Sequence, residues 1–330
     1  MNKARKFYLS KKILQKLTVL LGWIGLLLCI LPQHGKAQDI PASEIAAIVT
    51  LDSFVVTAQR KGFSIKDFVG LVQTDQSFYQ AFRNLRFVNY RATNNVQFFN
   101  KKGHSVALHQ STTQQHSDGT CRSMETLARH IGGHYMKKDG DLRYYTAKMF
   151  EKVFFTQDTI CDDPTDTTID SEQNLKGIQK HYKALKRLIF QPGEKVSVPF
   201  IGKKMAIFSP DMMEYYDYSI HSVVSEQGRD CYVFRLEVKP AFKDRKKKKT
   251  VVKFMETYFD KENFQVIARN YHLTYRGAFF SFDVRMEIDL SYIQGKYLPS
   301  RIQYDGWWDI PFKRQEKGRF EVHFNDFRVP

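Results

Sequence analysis

The sequence predicts a mainly β protein with some helix (α+β): a curved antiparallel sheet, or incomplete barrel, covered by a few helices. Three observations predict it. In residues 217–327 apolar runs are separated by short turn signals at Gln227-Gly228, Arg276-Gly277, Gln294-Gly295 and Lys317-Gly318, the spacing of an antiparallel meander. Phe282, Val284, Met286, Ile288 and Leu290 alternate with Asp283, Arg285, Glu287 and Asp289, which is one dry face and one wet face. The chain also carries 27 Phe and 17 Tyr among 330 residues, apolar area that a disordered chain lacks.

The beginning of the chain reads as an export signal. Residues 1–16 are basic, residues 17–31 are an unbroken apolar run, and Gly35-Lys36-Ala37 places small residues before a cleavage point. We expect residues 1–37 to be a signal peptide cut after Ala37. The apolar run is shorter than the about 20 residues a membrane-spanning helix needs. An uncleaved anchor is the alternative. The expected location is the periplasm or outer-membrane periphery of a Gram-negative-type envelope. Residues 38–330 are expected to form a single β-rich domain, with a subdivision into 40–160 and a 171–330 meander left open. The formal charge is +16; residues 1–37 hold seven basic residues and no acid, which leaves +9 beyond them. That charge suits anionic surfaces, and export argues against nucleic acid.

Beyond the signal the elements follow in order. Residues 45–58, rich in Val, Ile and Phe, read as a strand. Residues 64–85 read as two short helices capped by Ser64 and by Asp75 or Thr74, with Phe78, Phe82 and Leu85 on one face. Residues 87–99 and 105–111 read as a hairpin around Lys101-Lys102-Gly103. Residues 112–140 are polar and read as a long loop; residues 142–155, dense in aromatics, read as a strand. Residues 171–190 carry Leu175, Ile178, Tyr182, Leu185, Leu188 and Ile189 in a helical stripe that Pro192-Gly193 would stop. Strands are then expected at 232–238, 251–259, 264–275, 278–292, 297–304 and 319–327.

Cys29 falls in the signal, leaving Cys121, Cys161 and Cys231. An oxidising compartment favours one pairing. Cys121 and Cys161 flank polar, turn-rich segments and are expected to form a disulfide; Cys231 opens an apolar strand and is expected as a buried thiol.

Residues 230–237 (DCYVFRLE), 256–260 (ETYFD), 264–269 (FQVIAR) and 297–302 (YLPSRI) resemble the LolA/LolB type of lipoprotein-carrier fold. There, too, a strand ends in aromatic-Asp, turns tightly, and a Leu-Pro step follows later. The pattern also resembles secreted envelope proteins of Bacteroidota type. The likeness spans residues 175–327 and implies an incomplete barrel enclosing an apolar cavity for acyl chains. It assigns no binding residue one to one, and the long portion at 40–160 departs from it.

Candidate sites are few. His130 and His134 are four apart and could ligate a metal from one helix face, but Gly132-Gly133 weakens such a helix. Polar loop histidines are the alternative, and no metal is expected. Lys246, Lys247, Lys248 and Lys249 close a basic run between strands; they read either as a solvated tip or as a contact with anionic headgroups. Trp307 and Trp308, with Tyr304, Ile310 and Phe312, read as core or as the rim of a lipid cavity. Asp283 and Glu287 would lie about 13 Å apart on one strand, too far for paired-carboxylate hydrolysis, and read as a solvent face. The motifs GxSxG, GxxxxGK[ST] and GxGxxG are absent.

These readings predict an exported envelope protein, not an enzyme and without a cofactor. It would bind a lipid or lipoprotein acyl chain in the concave face of the sheet, with peripheral membrane contact. The alternative is a structural or protein-interaction module of the envelope whose concave face is filled by its own Phe and Tyr. A third reading is a hydrolase with an unfamiliar site.

Overall fold

The computed structural model describes residues 39–162, 201–243, 249–277, 280–310 and 313–330. The expected signal peptide with its cleavage after Ala37, the helix expected at 171–190, Lys246 to Lys248, and Phe312 lie outside the described residues.

The meander is present, and each strand pairs with its successor: β6 (Tyr216–Val224), β7 (Asp230–Val238), β8 (Val252–Asp260), β9 (Val266–Arg276), β10 (Ser281–Ile293), β11 (Lys296–Asp309) and β12 (Glu316–Arg328). All of these pairings are antiparallel; Met286 of β10 sits opposite Tyr271 of β9 and Tyr304 of β11. Phe282, Val284, Met286, Ile288 and Leu290 are all buried, as the alternation predicts. The sheet does not stop at β12. It continues through β2 (Asn89–Phe99), β3 (Ser105–Ser117), β4 (Cys121–Gly133) and the short β5 (Ile160–Cys161), with Phe320 opposite Val96. Residues 89–133 are therefore part of the same sheet as residues 216–328. At the far edge β1 (Thr50–Leu51) lies parallel to β6. Among the described residues the two outermost strands, β1 and β5, are two residues each and do not pair with one another, so the sheet is open.

Three expectations are corrected. Residues 45–58 are not a strand: they form α1 (Ala42–Ile48), β1 and α2 (Ser53–Arg60). Their β-branched residues favour strand, but Asp52 overrides that preference. One carboxylate oxygen accepts the Val55 amide at 2.8 Å as an N-cap, and the other accepts the Ser222 amide at 2.6 Å, tying α2 to β6. The loop expected at 112–140 is instead the end of β3 and the whole of β4. Its buried side is polar, His109, Ser111, Thr113 and Gln115 being no more than 5% exposed, so the usual apolar alternation is missing. The strand expected at 142–155 is α5 (Tyr145–Phe154). Its buried Ala147 and Phe150, with Phe154, stand at i, i+3 and i+7, a helical spacing that the density of aromatics obscured.

The start of α5 is fixed from a distance. The Glu316 carboxylate of β12 accepts the amides of Tyr145 (2.8 Å) and Thr146 (2.9 Å) and the Thr146 hydroxyl (2.5 Å). An anion at a helix N-terminus satisfies orphan amides and opposes the helix dipole.

The other expected elements are found. α3 (Ile65–Thr74) begins at Ser64, whose hydroxyl accepts the Asp67 amide. α4 (Ser77–Asn84) is capped by Asp75, which accepts the Ser77 amide and hydroxyl at 3.0 and 2.6 Å. Arg269 of β9 stands 3.6 Å from the Asp75 carboxylate and over the Phe78 ring, which fastens α4 to the sheet. The β2–β3 turn uses Gly103 at φ +84°, where a side chain would be strained. Two short helical turns, α6 (Gly202–Met205) and α7 (Pro210–Met213), lead into β6. Cys121 and Cys161 form a disulfide between β4 and β5, and Cys231 is a buried free thiol.

Candidate functional site

The inner face of the sheet is mostly filled by the protein's own rings. Phe98 stacks on Tyr144 at 3.8 Å, Tyr304 on Phe320 at 4.7 Å, and Phe282 meets Trp308 at 4.7 Å. One gap remains, where α5 crosses β10 to β12. α5 supplies Met149, Phe150, Val153 and Phe154; the sheet supplies Met286, Ile302, Tyr304, Trp308, Phe320 and Val322. Tyr145 and Thr146, the residues held by Glu316, complete the lining. No lining residue of this cleft carries a charge. The Trp308 indole donates to the Tyr304 hydroxyl at 2.7 Å, and burial holds the Tyr304 phenol far above its ordinary pKa, so both polar tips are neutral and occupied.

The cleft has a cavity volume of about 50 Å³ within about 610 Å³ of empty space that includes its mouth. At about 10–15 Å³ for each water centre the enclosed part holds only three to five water-sized groups. A short chain end fits with α5 seated; a longer chain does not.

The two tryptophans separate. Trp308 is buried and lines the cleft, while Trp307, the next residue on the strand, faces the other side with Arg276 5.2 Å over its ring. Lys249 lies 5.6 Å over the Tyr215 ring. His130 is on strand β4, not on a helix, and lines a polar groove of the outer face with Glu321 and His323. β4 ends at Gly133, at φ +63°, where a Cβ would run into the Val106 carbonyl, and His134 follows that turn. Among the described residues no three metal-ligating side chains converge.

The carboxylates of β10 are ordered rather than simply wet. Asp289 accepts from Arg301 at 2.6 Å, and Asp283 accepts from Thr274 (3.0 Å) and lies 2.9 Å from His272 Nε2. Thr274 and Asp283 both meet the same ring nitrogen of His272, so these three do not form a relay in which opposite ring nitrogens serve an acid and a nucleophile.

A second recess, which the sequence reading missed, lies beyond Phe155. His109 and Thr126 of β3 and β4, Arg129 of β4 and Glu151 of α5 line about 250 Å³ of cavity together with Thr156 and Gln157. His109 is 2% exposed; its Nδ1 lies 3.2 Å from the Tyr135 hydroxyl and its Nε2 has no hydrogen-bond partner. Burial, reinforced by the Arg129 charge, lowers the His109 pKa to about 4. Burial raises the Glu151 pKa, and Arg129 opposes that rise. Its signal in the sequence was the polar stripe at 109, 111, 113 and 115, legible only to a reader who already places β3 in the sheet.

Protons prefer unfolded His109, with a pKa near 6.5, over folded His109. The stability that depends on its neutral form is therefore complete above about pH 6.5 and is lost as pH falls toward 4. At about pH 4.5 this amounts to about 2–3 kcal/mol. Chemical denaturation of wild type and His109→Gln at pH 7 and at that acid pH checks it: the variant is expected to lose less stability on acidification.

No protein-family model and no curated protein matches the sequence. Among solved structures the chain is similar to several at low identity, including these three. A DUF1329 family protein from Desulfovibrio piger is 11% identical with a TM-score of 0.24, covering 76% of this chain and 90% of that one. An outer membrane lipoprotein-sorting protein domain from Vibrio parahaemolyticus is 9% identical with a TM-score of 0.26, covering 76% and 90%. A LolA superfamily protein from Nitrosomonas europaea is 11% identical with a TM-score of 0.24, covering 77% and 93%.

Proposed function

We propose that this is an exported envelope protein that binds a hydrophobic ligand, a lipid or lipoprotein acyl chain, between α5 and strands β10 to β12. One observation carries the reading: an uncharged cleft, walled by Met149, Phe150, Val153, Met286, Ile302 and Val322, that the protein's own side chains leave unfilled. Burying apolar ligand surface there gains about 25 cal/mol per Å². The enclosed volume is too small for a full acyl chain, so entry is coupled to movement of α5, whose seat is the Glu316 carboxylate. In this reading the ligand exchanges contacts with Phe150 and Phe154 for contacts with the sheet. The basic character of the chain beyond residue 37 suits peripheral contact with an anionic membrane.

Native mass spectrometry tests the proposal on protein exported to a periplasm and purified without detergent. The expected spectrum shows the chain beginning after Ala37 with an adduct of lipid mass, confirmed by extraction. A bare mass that stays bare after incubation with lipid vesicles overturns it and favours a protein-interaction module.

A further inference from the structure

The apolar cleft is one of three neighbouring recesses along the C-terminal half of α5. A middle recess shares Val153 and Phe154 with the apolar cleft, and Phe155 and Thr156 with the polar recess at His109. The middle recess is also lined by Arg83, Arg86, Arg122 and Lys152, so a molecule reaching from one end to the other passes beside cations, which suits an anionic amphiphile.

The polar recess has three groups that the fold leaves unused. His109 Nε2 is buried and has no hydrogen-bond partner. A buried polar atom without a partner costs free energy that a water or a ligand atom would recover. Among the described residues no carboxylate lies within ion-pairing distance of the Arg129 guanidinium, and Glu151, which lines the same recess, makes no hydrogen bond to it. The guanidinium acts at a distance on His109, Tyr135 and Glu151 alike, so it is the common positive centre of the recess. When the Tyr135 hydroxyl donates to His109 Nδ1, the Nε2 atom carries the proton and becomes a second donor beside Arg129. A guanidinium with a neighbouring N–H donor suits an oxyanion.

We propose that the ligand is an anionic amphiphile whose carboxylate or phosphate end sits between Arg129 and His109 Nε2 while its tail lies in the apolar cleft. The inference rests on the reading of that cleft as a hydrophobic ligand site. Glu151 is the opposing charge, so its protonated form accompanies binding and its removal strengthens it.

Calorimetric titration of the mature chain with dodecanoate, dodecyl phosphate and uncharged monododecanoylglycerol tests it. Wild type is expected to bind at least one anionic probe about tenfold more tightly than the uncharged one, equivalent to about 1.4 kcal/mol. Which of the two binds tighter separates a fatty-acid from a phospholipid-like end. Arg129→Gln is expected to erase the preference while leaving the uncharged probe unaffected, and Glu151→Gln to increase it about threefold. Arg129 is an exposed position, and thermal melts of both variants check that they fold. The ¹⁵N signal of His109 Nε2 is expected to shift with the anionic probes alone. Equal affinity for charged and uncharged probes, or a weaker anionic probe in Glu151→Gln, overturns the headgroup site and leaves the cleft intact. Inorganic phosphate binding as tightly as dodecyl phosphate also overturns it, since the tail then contributes nothing. Binding of none of the three C12 probes overturns the cleft reading and this inference together.

Discussion

Replacing Glu316 with Ala is expected to free α5 while leaving the meander folded. The carboxylate accepts two amides and a hydroxyl at the first turn of the helix. Hydrogen bonds to a charged group contribute about 1.5–3 kcal/mol each and do not add fully, so the three together are worth about 3–5 kcal/mol. The loss shows locally rather than globally. α5 has ten residues, too short to be stable alone. Its attachment otherwise rests on Ala147 and Phe150, with Phe150 meeting Phe320 at 5.1 Å. Hydrogen exchange of the α5 amides is expected to accelerate by at least about 100-fold, with strands β7 to β10 unchanged. If α5 gates the cleft, the variant also binds hydrophobic dye or lipid faster. Unchanged exchange in α5 would show that ring packing alone seats the helix.

The second large effect is expected at the β7–β9 end of the sheet. Asp260 closes β8 and is 1% exposed. Its carboxylate accepts the Glu262 amide at 2.8 Å, meets the Tyr297 hydroxyl at 3.4 Å and pairs with the Arg229 guanidinium, which is partly exposed. Arg229→Ala leaves that carboxylate buried without its cation. Breaking such a pair costs about 3–5 kcal/mol, which for a domain of this size lowers Tm by roughly 10 °C. A second substitution separates charge from packing: adding Asp260→Asn to Arg229→Ala removes the stranded charge and is expected to recover part of the loss. If the double variant is no more stable than the single one, the arginine acts by packing over the turn instead.

Most of the expected turns fall where the turn residues put them, because turn chemistry is local. Gln227-Gly228 and Gln294-Gly295 sit between consecutive strands with Gly228 and Gly295 at positive φ, and Gly277 directly follows β9. The turn expected at Lys317-Gly318 is instead inside β12, where those residues pair with Trp307 and Gly306 of β11. The caps at Ser64 and Asp75 were legible for the same reason. The Cys121–Cys161 bridge was legible from composition and compartment, although nothing local placed those two strands side by side.

The errors have one origin. Val55, Phe150 and His109 each lie in a segment whose composition points one way while its partners point the other. Asp52 makes 53–60 a helix, Glu316 starts a helix at Tyr145 from 171 residues away, and the polar face of β3 is buried against Asn94, the Leu85 and Val88 carbonyls and Tyr135. Alternation, turn residues and caps act within a few positions, so the sequence alone determined that this is an antiparallel meander with short capped helices, a basic surface charge and one disulfide. That β2 to β4 extend the same sheet past β12, that α5 lies over β10 to β12, and that Trp308 and His109 line two separate recesses were decided only by the tertiary structure. The first two rest on contacts between residues more than a hundred positions apart, and the His109 recess on side chains that meet only once β3, β4 and α5 are packed together; neither leaves a periodic trace in the chain.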